Sequence, residues 1–183
     1  MGLIPSFPPI HFDFGAIKEL APELTQRKIT HPLFLTDQGI VRHQILKIVT
    51  DALPAGTVFS VFKDIPENPT IEGINGALKV YREQECDGIV AVGGGSVLDS
   101  GKALRVVAAQ SGEILDYLRD PNQIGANVAP YITIPTTAGT GAEITFGGGI
   151  HPETNAPAMS IRSPYVRPDL AICDPELTIS LPP

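Results

Sequence analysis

The chain has 183 residues, of which 43% are hydrophobic and 18% charged, and it contains 18 glycines and 18 prolines. This length and composition predict a folded, turn-rich globular domain and exclude a disordered chain. The formal net charge of -7, without any basic run, argues against a nucleic-acid partner. Two distant cysteines, and the lack of a signal peptide or of about 18–20 consecutive apolar residues, predict a cytoplasmic protein with no membrane contact.

Strand and helix patterns alternate over the first part of the chain. Alternating apolar and polar residues predict a strand over 10–14, and apolar residues at three- and four-residue spacing predict a helix over 16–27. The same order repeats three times, with strands over 32–36, 58–62 and 88–92 and helices over 40–53, 70–81 and 97–109. Thr70 is expected to cap the helix over 70–81. The uninterrupted apolar run at 88–92 is typical of a central parallel strand covered on both faces. This alternation predicts a doubly wound, mostly parallel α/β sheet with right-handed crossovers.

The second part of the chain adds shorter elements. A short helix over 113–118 precedes a strand over 131–134. Two extended pieces, 144–146 and 159–161, flank a turn rich in glycine and proline, which predicts a β-hairpin appended to the sheet. A last strand over 170–173 meets Asp174, which is expected to cap a helical turn that opens with Pro175.

A run of three glycines separates the predicted central strand from the helix that follows it. Gly94, Gly95 and Ser96 would let backbone N–H groups approach an anion, and the start of a helix adds a favourable field. The run matches neither GxGxxG nor the P-loop pattern. It therefore indicates either a phosphate-binding turn or a tight turn without a ligand.

Two other segments that follow predicted strands carry polar side chains. The run 136–140 contains Thr136, Thr137 and Thr140, which suit a ribose, a phosphate or a nicotinamide but are equally typical of a polar loop. Asp37 can accept hydrogen bonds from ribose hydroxyls and repel a 2′-phosphate, which would favour NAD over NADP. Alternatively, Asp37 caps the helix after it.

Metal ligands and catalytic side chains are not indicated. The four histidines stand alone in the sequence, and none forms an HExxH motif or an i, i+4 pair. They are His11, His31, His43 and His151. The sequence predicts no metal ligand in this chain and identifies no catalytic residue.

Three motifs together resemble the iron-containing (group III) alcohol dehydrogenases of the dehydroquinate-synthase-like superfamily. They are GGGSVLDSGK at 93–102, IPTTAGTGAE at 134–143 and DPELT at 174–178, and Thr36-Asp37 and Asn68-Pro69-Thr70 also fit. The resemblance implies an N-terminal, Rossmann-like NAD(P)-binding domain followed by a helical domain that holds Fe²⁺ or Zn²⁺. We expect residues 1–178 to form the cofactor-binding domain. Residues 179–183 would begin a linker to a metal-binding domain that is absent from this chain.

The resemblance also implies roles for individual residues. In chain order these are Asp37 at the adenosine ribose, Asn68 beside the cofactor, Gly94, Gly95 and Ser96 at the pyrophosphate, and Thr136, Thr137 and Thr140 along the remaining cofactor path. Asp99 and Lys102 belong to the first motif and are expected to give structural support. Ala158 stands where many family members carry a lysine that reaches the cofactor.

The implied activity is reversible hydride transfer between an alcohol carbon and the nicotinamide C4, with the metal polarising the oxygen. The expected cofactor is NAD rather than NADP, and the expected substrate is a small alcohol or aldehyde. Fe²⁺ or Zn²⁺ is expected for the full-length family and not for this chain. Analogy also suggests a homodimer through the strand 10–14. The alternatives are a maleylacetate reductase-like enzyme and a dinucleotide-binding module without turnover.

Overall fold

The computed structural model describes residues 7–179. Its strands are β1 (Ile10–Phe12), β2 (Pro32–Leu35), β3 (Ser60–Phe62), β4 (Gly88–Gly93), β5 (Tyr131–Pro135), β6 (Gly147–Ile150), β7 (Met159–Arg162) and β8 (Leu170–Cys173). Its α-helices are α1 (Leu20–Gln26), α2 (Gln38–Arg42), α3 (Ile45–Asp51), α4 (Ile71–Glu83), α5 (Gly95–Ala109) and α6 (Ile114–Arg119). Short 3₁₀ turns cover Ala16–Glu19, Pro121–Gln123, Pro164–Val166 and Pro175–Thr178.

Six strands form one parallel sheet in the order β1-β8-β5-β4-β2-β3, and β6 and β7 form a separate antiparallel hairpin. The predicted fold class, a doubly wound α/β sheet with a hairpin, is confirmed. None of the helices in residues 7–179 is long and apolar enough to cross a membrane.

Alternate residues of the central strand β4 enter two different hydrophobic cores. Ile89 and Ala91 pack in the core that includes α4, α5 and α6, whereas Val90 and Val92 pack in the core that includes α1 and α3. All six residues of β4 are buried. Helices therefore cover both faces of the sheet, which explains the uninterrupted apolar run in the sequence.

Several predicted boundaries differ from the observed ones. The strand predicted over 10–14 ends at Phe12, and the strand predicted over 58–62 begins at Ser60. The helix predicted over 40–53 is two helices, because Gln44 adopts a left-handed conformation with φ of 62° between α2 and α3. The apolar spacing continues across this break, so it does not reveal the break in the sequence.

The first strand of the hairpin was predicted in the wrong place, at 144–146 instead of Gly147–Ile150. Glycine-rich sequence usually indicates a turn. Here β6 lies so close to α5 that a Cβ at Gly148 would be 2.7 Å from Cγ of Asp99. This close packing requires glycine at position 148. The hairpin packs against α5 and α6 and does not join the six-stranded sheet.

Candidate functional site

A cleft of about 630 Å³ lies at the carboxyl ends of β2 and β4, and we call it the β2–β4 cleft. The connection that leaves β2 runs to β3 on one side, whereas the connection that leaves β4 runs to β5 on the opposite side. Ligands of open α/β sheets commonly bind where connections diverge in this way. The cleft is lined by Asp37, Gln38, Gly39, Arg42, Asp64, Ile65, Pro66, Glu67, Gly94, Gly95, Ser96 and Val97.

The glycine turn after β4 forms one wall of the β2–β4 cleft. Gly94 is the N-cap of α5 and offers no side chain, and Gly95 is the first helical residue. A Cβ at Gly93 would lie 2.8 Å from Cγ2 of Val97, so the turn is too tight for a larger residue there. The first N–H groups of an α-helix lack intrahelical partners and carry partial positive charge. This end of α5 is therefore suited to an anion.

The threonine-rich segment after β5 lies against the same turn. The backbone N–H of Thr136 donates to the carbonyl of Gly93 at 3.1 Å. A Cβ built on Gly95 would be 3.0 Å from Oγ1 of Thr140, and one built on Gly94 would be 3.5 Å from Oγ1 of Thr137. The structure thus brings the glycine and threonine clusters together. The side chain of Thr136 is buried, whereas Thr137 and Thr140 are exposed.

Asp37 caps the helix after it and has one carboxylate oxygen that takes no part in the cap. Its Oδ1 accepts a hydrogen bond from the backbone N–H of Ile40 at 2.9 Å and caps α2. Its Oδ2 has no hydrogen-bond partner within residues 7–179, and the residue lines the β2–β4 cleft. The carboxylate can therefore cap the helix and still accept a hydrogen bond from a ligand.

Asn68 is exposed and does not line the cleft, although its neighbour Glu67 does. Sequence reasoning also missed Asp64 and Arg42, which line the cleft beside Asp37. The signal that could have found Asp64 is its position just after β3. The carboxyl ends of all strands in a parallel sheet lie along one edge, so the residues after β3 come close to those after β2.

A second cleft, of about 550 Å³, lies at the carboxyl ends of β5, β8 and β1, and we call it the β5–β8 cleft. Its lining is mostly apolar and includes Phe12, Thr137, Glu143 and Cys173. Burial, and to a lesser degree the charge of Glu143, raises the pKa of the Cys173 thiol to about 11. A thiol with such a high pKa is a poor nucleophile near neutral pH.

Lys102 and Asp99 join α5 to the hairpin. The ammonium of Lys102 is fully buried and donates to Oδ1 of Asp99 at 2.9 Å, to Oγ1 of Thr145 at 2.9 Å and to the carbonyl of Gly147 at 2.7 Å. Burial lowers the pKa of Lys102, and the charge of Asp99 opposes this shift. Oδ2 of Asp99 accepts from the N–H of Gly149 at 3.1 Å. These contacts are structural, because Lys102 has no exposed surface.

Ala158 is exposed just before β7, and its Cβ lies 3.7 Å from the position that a Cβ on Gly149 would occupy. Ala158 therefore lies beside Gly149, near the loop that joins β6 to β7. In residues 7–179 no three His, Cys, Asp or Glu side chains are grouped in a way that could hold a metal ion. The part of the chain that the structure describes therefore does not fit the family's metal.

A family model described as iron-containing alcohol dehydrogenase matches residues 8–175. Two curated relatives are the 4-hydroxybutyrate dehydrogenase of Cupriavidus necator, 39% identical, and the choline dehydrogenase of Bacillus subtilis (strain 168), 35% identical. The matches cover 94% and 95% of this chain, and 46% and 44% of those proteins. The chain thus spans less than half the length of these relatives.

A crystal structure of sulfoacetaldehyde reductase from Bifidobacterium kashiwanohense in complex with NAD⁺ has the same fold over 99% of this chain and 49% of its own length. The TM-score is 0.89 and the sequence identity is 29%. The sequence matches and the structural match both agree with the family resemblance that the three motifs indicated. The chain belongs to the iron-containing alcohol dehydrogenase family.

Proposed function

We propose that this chain binds NAD in the β2–β4 cleft and supplies the cofactor-binding part of an NAD-dependent alcohol dehydrogenase. The observation that carries the proposal is the glycine turn at the start of α5, which lies in a cleft between diverging strand connections. Residues 1–178 would form this domain, and 179–183 would begin a linker to a helical domain.

The N–H groups of Gly94, Gly95 and Ser96 would hold the pyrophosphate, and the free oxygen of Asp37 would accept from the adenosine ribose. The hydroxyls of Thr137 and Thr140 are exposed beside the glycine turn, which supports their assignment to the remaining cofactor path. Two further residues belong to the proposed site. Thr136 would contact the cofactor through its backbone, because its side chain is buried. Asn68 would contact the cofactor from the exposed segment beside the cleft.

The proposed reaction is reversible oxidation of a small alcohol to an aldehyde or ketone. Bound NAD⁺ would supply the hydride acceptor for this oxidation, and the hydroxyl proton of the alcohol would be released to solvent. The residues of this chain bind and orient the dinucleotide, and no step is assigned to a metal because residues 7–179 do not fit one. A matched relative is named a 4-hydroxybutyrate dehydrogenase, and 4-hydroxybutyrate is therefore our first test substrate.

Calorimetric titration of the chain with NAD⁺ tests the proposal. We expect saturable binding that Gly95→Ala weakens at least about tenfold, because the new Cβ would lie 3.0 Å from Oγ1 of Thr140 and would crowd the anion-binding N–H groups. Gly125→Ala is the matched control, since a Cβ there meets nothing closer than 3.8 Å and lies outside the cleft. Failure of the unmodified chain to bind NAD⁺ would refute the proposal.

NADH formation, followed by absorbance with 4-hydroxybutyrate and added Fe²⁺ or Zn²⁺, separates the remaining alternatives. Turnover would make this chain a dehydrogenase by itself. Binding without turnover would support the alternative of a dinucleotide-binding module. Activity with maleylacetate, and none with alcohols, would favour the maleylacetate reductase alternative.

We further propose that the chain forms a homodimer through β1. Within residues 7–179, β1 pairs only with β8, so its other edge is open for hydrogen bonding. The apolar side chains of Ile10, Phe12 and Phe14 are exposed beside this edge. An open edge with exposed apolar residues suits pairing with a second copy.

A cytoplasmic location is also proposed. Cys86 and Cys173 are both free thiols in the structure, and free thiols persist in a reducing compartment. Fluorescence microscopy or cell fractionation would test this location. Recovery of the protein in a secreted fraction would contradict it.

A further inference from the structure

The β2–β4 cleft contains more negative charge than Asp37 alone provides. Asp64 and Glu67, in the segment between β3 and α4, also line it and are exposed. Arg42 is the only basic residue among the lining residues. The cleft therefore holds three carboxylates and one guanidinium and has a net negative charge.

The segment that carries Asp64 and Glu67 is held against the strand ends that form the cleft. Nε2 of Gln38 donates to Oδ1 of Asp64 at 2.6 Å, which links the residue after Asp37 to the segment after β3. Oγ of Ser96 donates to the backbone carbonyl of Glu67 and joins this segment to the first turn of α5.

Between Asp64 and Glu67, the N–H of Ile65 donates to the carbonyl of Thr36 at 3.3 Å. Oδ2 of Asp64 has no hydrogen-bond partner within residues 7–179. The segment that carries both carboxylates is thus fixed at three points, and Asp64, which lines the cleft, has one carboxylate oxygen available to a ligand.

We propose that Asp64 and Glu67 are specificity-determining residues that act with Asp37 to exclude NADP, with Arg42 partly offsetting them. This inference rests on the proposed binding of NAD in the same cleft. The 2′-phosphate of NADP carries between about -1.5 and -2 charges at neutral pH. Like charges around it disfavour binding, whereas the 2′-hydroxyl of NAD is neutral and can donate to a carboxylate. Discrimination between NAD and NADP therefore depends on Asp37, Asp64 and Glu67 together and not on Asp37 alone.

The test compares the dissociation constants of NADP⁺ and NAD⁺, measured by calorimetric titration, in single variants. Asp64→Asn removes the charge and keeps an oxygen that can accept from Gln38, and Glu67→Gln is the equivalent change. We expect each to lower the ratio of the NADP⁺ to the NAD⁺ dissociation constant about fivefold, the effect of one unit charge at close range in water. Arg42→Gln should raise the ratio.

Glu83→Gln is the matched control, because it changes the net charge equally at the far end of α4 from the cleft. An unchanged ratio in Asp64→Asn and Glu67→Gln, together with a lower ratio in Asp37→Asn, would overturn the inference. An equal shift in Glu83→Gln would also overturn it, since overall charge would then explain the effect. The unmodified chain is titrated first, so a failure to bind NAD⁺, which refutes the proposed function itself, is recognised separately.

Discussion

At the residue scale, the partly buried thiol of Cys173 makes the stability of the chain depend on pH in the alkaline range. Its folded-state pKa of about 11 lies above the usual value of 9.0, mainly because of burial. Between these two pH values the unfolded chain has lost a proton that the folded chain retains. The free energy of unfolding therefore falls as the pH rises from about 9 to 11.

Urea unfolding at pH 8 and pH 11 measures this loss in the chain and in Cys173→Val. We expect the variant to lose about 1 kcal/mol less over this range, since one pKa unit corresponds to about 1.4 kcal/mol and solvent screens a partly buried thiol. Tyr81, whose pKa burial raises to about 12, adds a loss in the same direction to both proteins. Equal losses in the two proteins would contradict the assignment to Cys173.

The sequence predicted some of the residues that line the β2–β4 cleft and missed others. Gly94, Gly95, Ser96 and Asp37 line the β2–β4 cleft as their positions after strands suggested. Asp64 was missed because it belongs to no motif, and it reaches the cleft only through the pairing of β2 with β3. The position of Asp64 after a predicted strand was a signal for a site residue, but its closeness to Asp37 depends on strand order, which no local pattern contains.

At the scale of elements, helix starts were predictable where a capping side chain was present. Thr70 caps α4 by accepting from the N–H of Gly73 at 3.2 Å, and Asp174 caps the turn that opens with Pro175. The break between α2 and α3 was not predictable, because Gln44 occupies a left-handed position where glycine is the usual signal. Capping side chains thus identified the starts of α4 and of the Pro175–Thr178 turn, but no local signal identified the end of α2.

Gln44 itself offers a test of the cost of this conformation. We expect Gln44→Gly to raise the free energy of unfolding by about 0.5–1 kcal/mol, because glycine reaches φ of 62° without a clash between Cβ and the backbone. The exposed glutamine side chain makes no hydrogen bond within residues 7–179 that the change would remove. Gln44→Ala keeps the Cβ and serves as the control in urea unfolding. Equal stability of the two variants would contradict this explanation.

At the scale of the whole molecule, strand order decides which surfaces are open. The alternation of elements predicted a parallel sheet, but it did not determine that β8 would insert between β1 and β5. This insertion leaves β1 at one edge and β3 at the other. Each edge exposes apolar side chains, with Phe12 75% exposed on β1 and Val61 37% exposed on β3.

Sedimentation velocity tests which edge binds a second copy. We expect Phe12→Asp to convert a dimer to a monomer, because a charge on an edge strand opposes pairing and the substitution removes the more exposed apolar side chain. Val61→Asp places the same charge on the opposite edge and should leave the dimer intact. Loss of the dimer in Val61→Asp alone would move the interface to β3. A dimer that persists in Phe12→Asp would exclude β1 as the interface.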